Sequence, residues 1–199
     1  MALVEQISRI DELLLRLPAL VDACTSTAAS PVAKTAAWLR DAEQALARLR
    51  LGNAGNLSAL RATLENRAGR RPGESAGQRR SQSLDALVEA LVEAEAVLRK
   101  HRLDAEEKLD SHEGKLVEAL TVLVLTGHLP ERPADKPSDW PARVWQALAT
   151  QPPTRPTAVW LATSLGTLDR LFLLDRLLVR LASSGIQLQP DPPPAGAGE

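Results

Sequence analysis

Apolar residues recur at helical spacing along most of this chain. Leu3, Ile7, Ile10, Leu14 and Leu17 follow one another at intervals of four and three, and Val21 continues the series beyond Pro18. That is a narrow heptad seam, the pattern of one helix packed on another. It predicts a helix over residues 2–17, ended or kinked at Pro18. The polar segment at 24–30 reads as a loop. Ser30-Pro31 then has the form of an N-cap followed by proline in the first turn. The helix it opens runs to about Leu51, burying Val32, Ala36, Leu39, Leu46 and Leu49, with Gly52 as C-cap. Leu57, Leu60 and Leu64 mark a short helix over 57–68.

Residues 69–83, GRRPGESAGQRRSQS, carry no large apolar side chain. They predict a flexible basic linker. Beyond it, Leu84, Leu87, Leu91, Ala94 and Leu98 form an apolar stripe, and Leu116, Leu120 and Leu123 resume one. Between them, residues 99–114 hold nine charges in sixteen positions. Two structures compete for residues 84–126: one continuous or kinked helix of about 60 Å, or a hairpin broken near Asp110. Asp110-Ser-His-Glu113 has the form of a capping box, and Gly114 weakens continuity. The continuous or kinked helix is the preferred reading. Gly127 closes it, a proline-punctuated loop follows, and Ser138 or Asp139 caps a helix presenting Trp140, Val144 and Leu148.

The most apolar stretch is 157–184. On a helical wheel, Leu161, Leu165, Leu168, Phe172 and Val179 form one side. Leu171, Leu174, Leu177, Leu178 and Leu181 cover most of the rest. Asp169, Leu173, Arg176 and Arg180 share a narrow polar strip. The pattern predicts a single buried helix with the others packed around it. Five charges between residues 169 and 180 argue against a membrane span. Arg170 and Asp175 lie off the polar strip, about 140° apart on the wheel. Each must meet an opposite charge or face a partner, which makes both candidate interaction residues. The proline-rich segment 185–199 is expected to be disordered.

These elements predict an all-α helical bundle without a sheet. The expected organisation is an N-terminal helical segment over 1–68, the linker over 69–83, and a C-terminal helical segment over 84–184. The two segments share one core or stand apart. Scarce aromatic residues, four Trp and one Phe with no Tyr, agree with the absence of a sheet. No fixed-period repeat is present.

Net charge is −1, so there is no global attraction to nucleic acid or to an acidic membrane. Arginine outnumbers lysine 19 to 5, the composition of a GC-rich, bacterial genome. The segment LLLRLPALVDAC resembles a signal sequence before a lipoprotein cysteine. However, Glu5, Asp11 and Glu12 precede it, the start has no basic region, and Arg16 interrupts it. The expected location is cytoplasmic.

Candidate chemistry is sparse. Cys24 is the one cysteine, so the chain offers neither an intramolecular disulfide nor a cysteine metal cluster. His112-Glu113 begins like the zinc motif HExxH, but Leu116 stands where the second histidine belongs. His101, Asp104, Lys108, Ser111 and Lys115 fall on one face and read as a solvated, salt-bridged surface. Phosphate-binding and dinucleotide-binding glycine loops are missing, as is a nucleophile elbow. The expectation is no catalytic residue, no cofactor and no metal. A non-catalytic helical interaction protein follows, working as an adaptor, scaffold or accessory subunit with a protein partner, a second copy of itself, or both, and no membrane. The alternative is an accessory subunit touching nucleic acid through Arg70, Arg71, Arg79 and Arg80. A third reading is an enzyme without a readable motif.

Overall fold

Leu98, Ala105, Leu109 and Leu116 are spaced by seven, four and seven residues, so all four fall on one side of a helix. In the computed structural model all four are buried. The structure describes residues 2–25, 31–68 and 76–183, the side chains of Thr25, Ala68 and residues 76–81 excepted. The elements are α1 (Leu3–Leu14), α2 (Leu17–Thr25), α3 (Pro31–Arg48), α4 (Ala54–Ala68), α5 (Ala76–Leu125), α6 (Trp140–Thr150), α7 (Arg155–Ser164) and α8 (Thr167–Ser183). A single 3-10 turn, Pro137–Asp139, precedes α6. The fold is all-α, and among the described residues there is no strand.

Helix α5 is one continuous helix of 50 residues. It begins at Ala76, so residues 76–83, expected in the linker, are helical; residues 69–75 and 184–199 lie outside the described residues. The capping box at Asp110 does not form. Ser111 Oγ donates to the Lys108 carbonyl within the helix (2.8 Å), and Glu113 turns to arginines on α8. Leu84 also departs from the expected stripe: it is 41% exposed, and Ala86 and Ala90 bury instead.

Two compact units divide the chain inside α5 rather than at the linker. One is Glu5–Glu106; the other is Ala2–Val4 with Glu107–Glu199. Residues 84–106, expected with the C-terminal segment, therefore belong with the N-terminal helices. In this first unit Ile10, Leu13, Leu17 and Leu20 meet Trp38, Leu39, Leu46, Leu57 and Leu64, together with Leu87, Leu91 and Leu98 of α5. Trp38 is fully buried, and its indole N–H donates to the Leu13 carbonyl at 3.0 Å. Ala42 and Ala45 let α3 approach α4 closely. Arg102 of α5 is tied to Asp11 (2.6 Å) and to Glu106 (2.7 Å). The hydrogen bond to Asp11 foremost holds the Arg102 guanidinium above the ordinary arginine pKa.

Two local readings change here. Pro18 does not end a helix; it sits in the first turn of α2, where its missing N–H costs nothing. The N-terminal seam slides accordingly, to Gln6, Ile10, Leu13, Leu17 and Leu20, while Val21 faces outward. At the end of α3 the left-handed residue is Arg50 (φ 53°), not Gly52. Leu51 N–H donates to the Leu46 carbonyl and Arg50 N–H to the Ala47 carbonyl, closing a Schellman motif. Gly127 (φ 68°) ends α5 in the same way.

In the second unit α6 buries Trp140, Val144 and Leu148, the expected face. The Trp140 indole donates to the Pro130 carbonyl (2.8 Å). The helix expected over 157–184 is two helices. Leu165 is extended (φ −123°, ψ 144°) and buried, and α8 starts anew after Gly166. Asp169 lies in the first turn of α8, and its carboxylate accepts the Val4 N–H at 2.9 Å. This capping holds an almost fully buried acid in place.

The buried face of α8 carries Asp169, Leu173, Leu174, Leu177 and Leu178, whereas Leu168, Phe172 and Val179 are exposed. We therefore expect Leu178→Ala to destabilise the protein by about 2–5 kcal/mol, and Leu168→Ala by no more than about 0.5 kcal/mol. Chemical denaturation of both variants checks this; equal losses would mean the face assignment is wrong.

Candidate interaction face on the last helix

The rotation of α8 about its axis is set by charge pairs as well as by leucines. Arg176 meets Glu113 and, at 2.9 Å, Asp110 of α5; Arg180 meets Glu113 as well. The Glu113 side chain is 17% exposed, so water screens these contacts less than at an open surface. Both arginines of the polar strip reach α5, Arg176 partly buried and Arg180 still exposed. Leu173 follows them and is fully buried.

The outward side is then apolar. Leu168, Phe172, Asp175 and Val179 follow at intervals of four, three and four, and all four are exposed. Heptad spacing keeps them within about 60° of arc, a narrow straight seam. Asp175 forms no hydrogen bond or ion pair among the described residues. Its neighbours along the seam, Phe172 and Val179, offer none.

Arg170 is different. Its guanidinium lies over the Trp145 ring, 4.5 Å from the centroid, and donates to Thr167 Oγ1 (2.9 Å) and the Gly166 carbonyl (3.4 Å). It is used inside the second unit, clamping the α7–α8 turn onto α6. Of the two wheel-derived candidates, only Asp175 faces outward. Arg70 and Arg71 lie outside the described residues. Arg79 and Arg80 fall on the first turns of α5, their side chains outside the description. The described residues therefore do not bear on the four arginines, and the nucleic-acid alternative rests on sequence alone.

An apolar cleft of about 200 Å³ is lined by Val117, Leu120, Val124 and Leu125 of α5 with Leu177 and Leu181 of α8. It has no ionisable group to orient a ligand. Ser111 Oγ stands 3.1 Å from His112 Nδ1, the type of contact that activates a nucleophile. Here the same nitrogen lies 2.6 Å from the Lys108 carbonyl and so carries the proton, and Ser111 donates to that carbonyl too. With both groups donating, neither serves as base to the other. The His112 ring instead stacks on Trp160 at 5.2 Å. Among the described residues no group of three His, Cys, Asp or Glu side chains could hold a metal ion. No helix among them is long and apolar enough to cross a membrane. Comparison with protein-family models, curated proteins and solved structures found no match.

Two outcomes follow from these contacts. Glu113→Ala removes the acid that Arg176 and Arg180 share, Arg176 keeping Asp110, and should cost about 1–3 kcal/mol. Asp110→Ala, at a carboxylate 65% exposed, should stay within about 0.5 kcal/mol; urea titrations separate the two. Burial pushes the Cys24 thiol up, and its Sγ lies 3.3 Å from the Leu20 carbonyl. Alkylation of Cys24 should therefore need a more alkaline pH than free cysteine does. Equal pH profiles for the two thiols would contradict that.

Proposed function

We propose that this protein is a non-catalytic helical interaction protein, an adaptor or accessory subunit that receives a partner helix on the outer face of α8. One observation carries the reading: Leu168, Phe172 and Val179 are 62%, 44% and 57% exposed on a helix that buries Leu173, Leu174, Leu177 and Leu178. Large apolar side chains in a row, rather than scattered, mark a contact surface. Their heptad spacing suits a second helix, because each side chain then fits between residues of the facing seam. A cytoplasmic setting fits a chain with a single, partly buried thiol.

The partner helix needs an apolar seam with a basic residue opposite Asp175, since an acid enclosed there without a counter-charge is costly. Affinity capture of partners from the native host tests the reading. Phe172→Glu and Leu168→Glu should each abolish capture while the melting temperature stays within a few degrees of wild type. A captured set unchanged by both substitutions would mean that the α8 face is not the docking surface.

A further inference from the structure

The outer face of α8 is matched by a second exposed seam in the same chain. On α5, Val92, Ala96, Arg99 and Leu103 follow at intervals of four, three and four, and all four are exposed. This is the spacing of Leu168, Phe172, Asp175 and Val179, and a charge occupies the third position in both. On α5 that charge is arginine; on α8 it is aspartate. Val92 and Leu103 are 61% and 55% exposed. The Arg99 side chain is 63% exposed, and among the described residues it pairs with Glu95 of its own helix, at 2.7 Å. Such an exposed pair within one helix is easily exchanged for a better one.

We infer that two copies of this chain associate by laying the α5 seam of one copy on the α8 seam of another, with the helices parallel and in register. The inference rests on the reading of α8 as a docking face and names the occupant of that face. In this register Val92 meets Leu168, Ala96 meets Phe172, Arg99 meets Asp175 and Leu103 meets Val179. The smallest side chain of one seam faces the largest of the other, and the two charges neutralise each other at the third layer.

Alternative pairings of the same surfaces fail on charge or on burial. Two α8 seams set parallel put Asp175 against Asp175. Set antiparallel, they press Asp175 against Phe172 and strip the acid of water without a counter-charge. Two α5 seams meet the same objection at Arg99. An antiparallel α5–α8 pair that still joins Arg99 to Asp175 would place Ala96 against Leu178, which is 1% exposed and already in the core. The parallel α5–α8 pairing uses four exposed residues from each side and also sets Arg99 against Asp175. A contact between two different faces of one chain is heterologous, so it closes into a ring of copies or propagates.

The contact spans two heptads, so association belongs at the weak end of specific interfaces. Sedimentation velocity should therefore cover about 10 μM to about 1 mM. Four samples suffice: wild type, Arg99→Asp, Asp175→Arg, and an equimolar mixture of the two variants. Wild type should rise above monomer mass with concentration. Each charge reversal sets like charges face to face and should raise the concentration needed by at least about tenfold. Mixing the variants should restore association, because each reversed site then finds its complement on the other variant. Restoration also shows that both variants are folded. A wild type that stays monomeric throughout overturns the inference, as does a variant that associates like wild type or a mixture that does not recover. A monomeric wild type that still loses its captured partner on Phe172→Glu would overturn self-association and leave the α8 docking face standing.

Discussion

Residues 99–114 can be helical inside a protein only because the apolar stripe of α5 never stops. Nine charges in sixteen residues would leave an isolated helix marginal in water. Ala105 and Leu109 fall between Leu98 and Leu116 at the spacing that keeps one side facing inward, and both are buried. Burial of each large aliphatic side chain contributes roughly 1.5–3 kcal/mol before chain entropy is subtracted. The charges occupy the remaining positions, where they pair locally: Lys100 with Asp104, Arg102 with Asp11 and Glu106. Both compact units draw core residues from this one helix.

The same balance of apolar and charged positions decides which way α8 faces. A wheel scored by hydropathy turns Arg176 and Arg180 outward. It cannot know that Glu113 waits on α5, in a setting where an acid without a partner is costly. With Glu113 there, both arginines reach one carboxylate from α8. The leucines at 173, 174, 177 and 178 are buried on the rest of the inward side. What remains for the outside is Leu168, Phe172 and Val179. The exposed apolar seam remains because the helix has more apolar faces than the second unit covers.

This explains how much could be read in advance. The all-α class, the buried faces of α3 and α6, and the end of α5 at Gly127 follow from spacing and from single residues with one dominant preference. The misreadings share a cause, which is that two local signals competed and tertiary contact chose between them. Pro18 can stop a helix or start one, and the burial of Leu17 and Leu20 made it a start. Gly52 was the expected cap, yet Arg50 accepts the left-handed conformation because Leu51 and Arg50 thereby satisfy two carbonyls of α3. The break at Leu165-Gly166 was announced by Gly166 and Thr167, a helix stop followed by a helix start, but it was masked by the leucines on both sides. Of the candidate site, Asp175 was legible as a charge on an apolar side. The assignment of Arg170 was not, since Trp145 reaches it from another helix.

A carboxylate in the middle of an apolar seam is a poor way to gain affinity. An alanine or leucine at position 175 would bury more surface without a desolvation cost. Its effect is on choice. A seam of Leu, Phe and Val alone accepts any helix with an apolar stripe, in either direction and in several registers. One acid at the third layer penalises every arrangement that leaves it facing carbon, so it selects a partner with a base at one position and rejects slipped alternatives. Arg99 imposes the complementary demand on the α5 seam. Each charge is harmless in water and costly once covered, unless it meets the other. Two seams with the same spacing and opposite charge at the same layer satisfy that condition without help from a third protein.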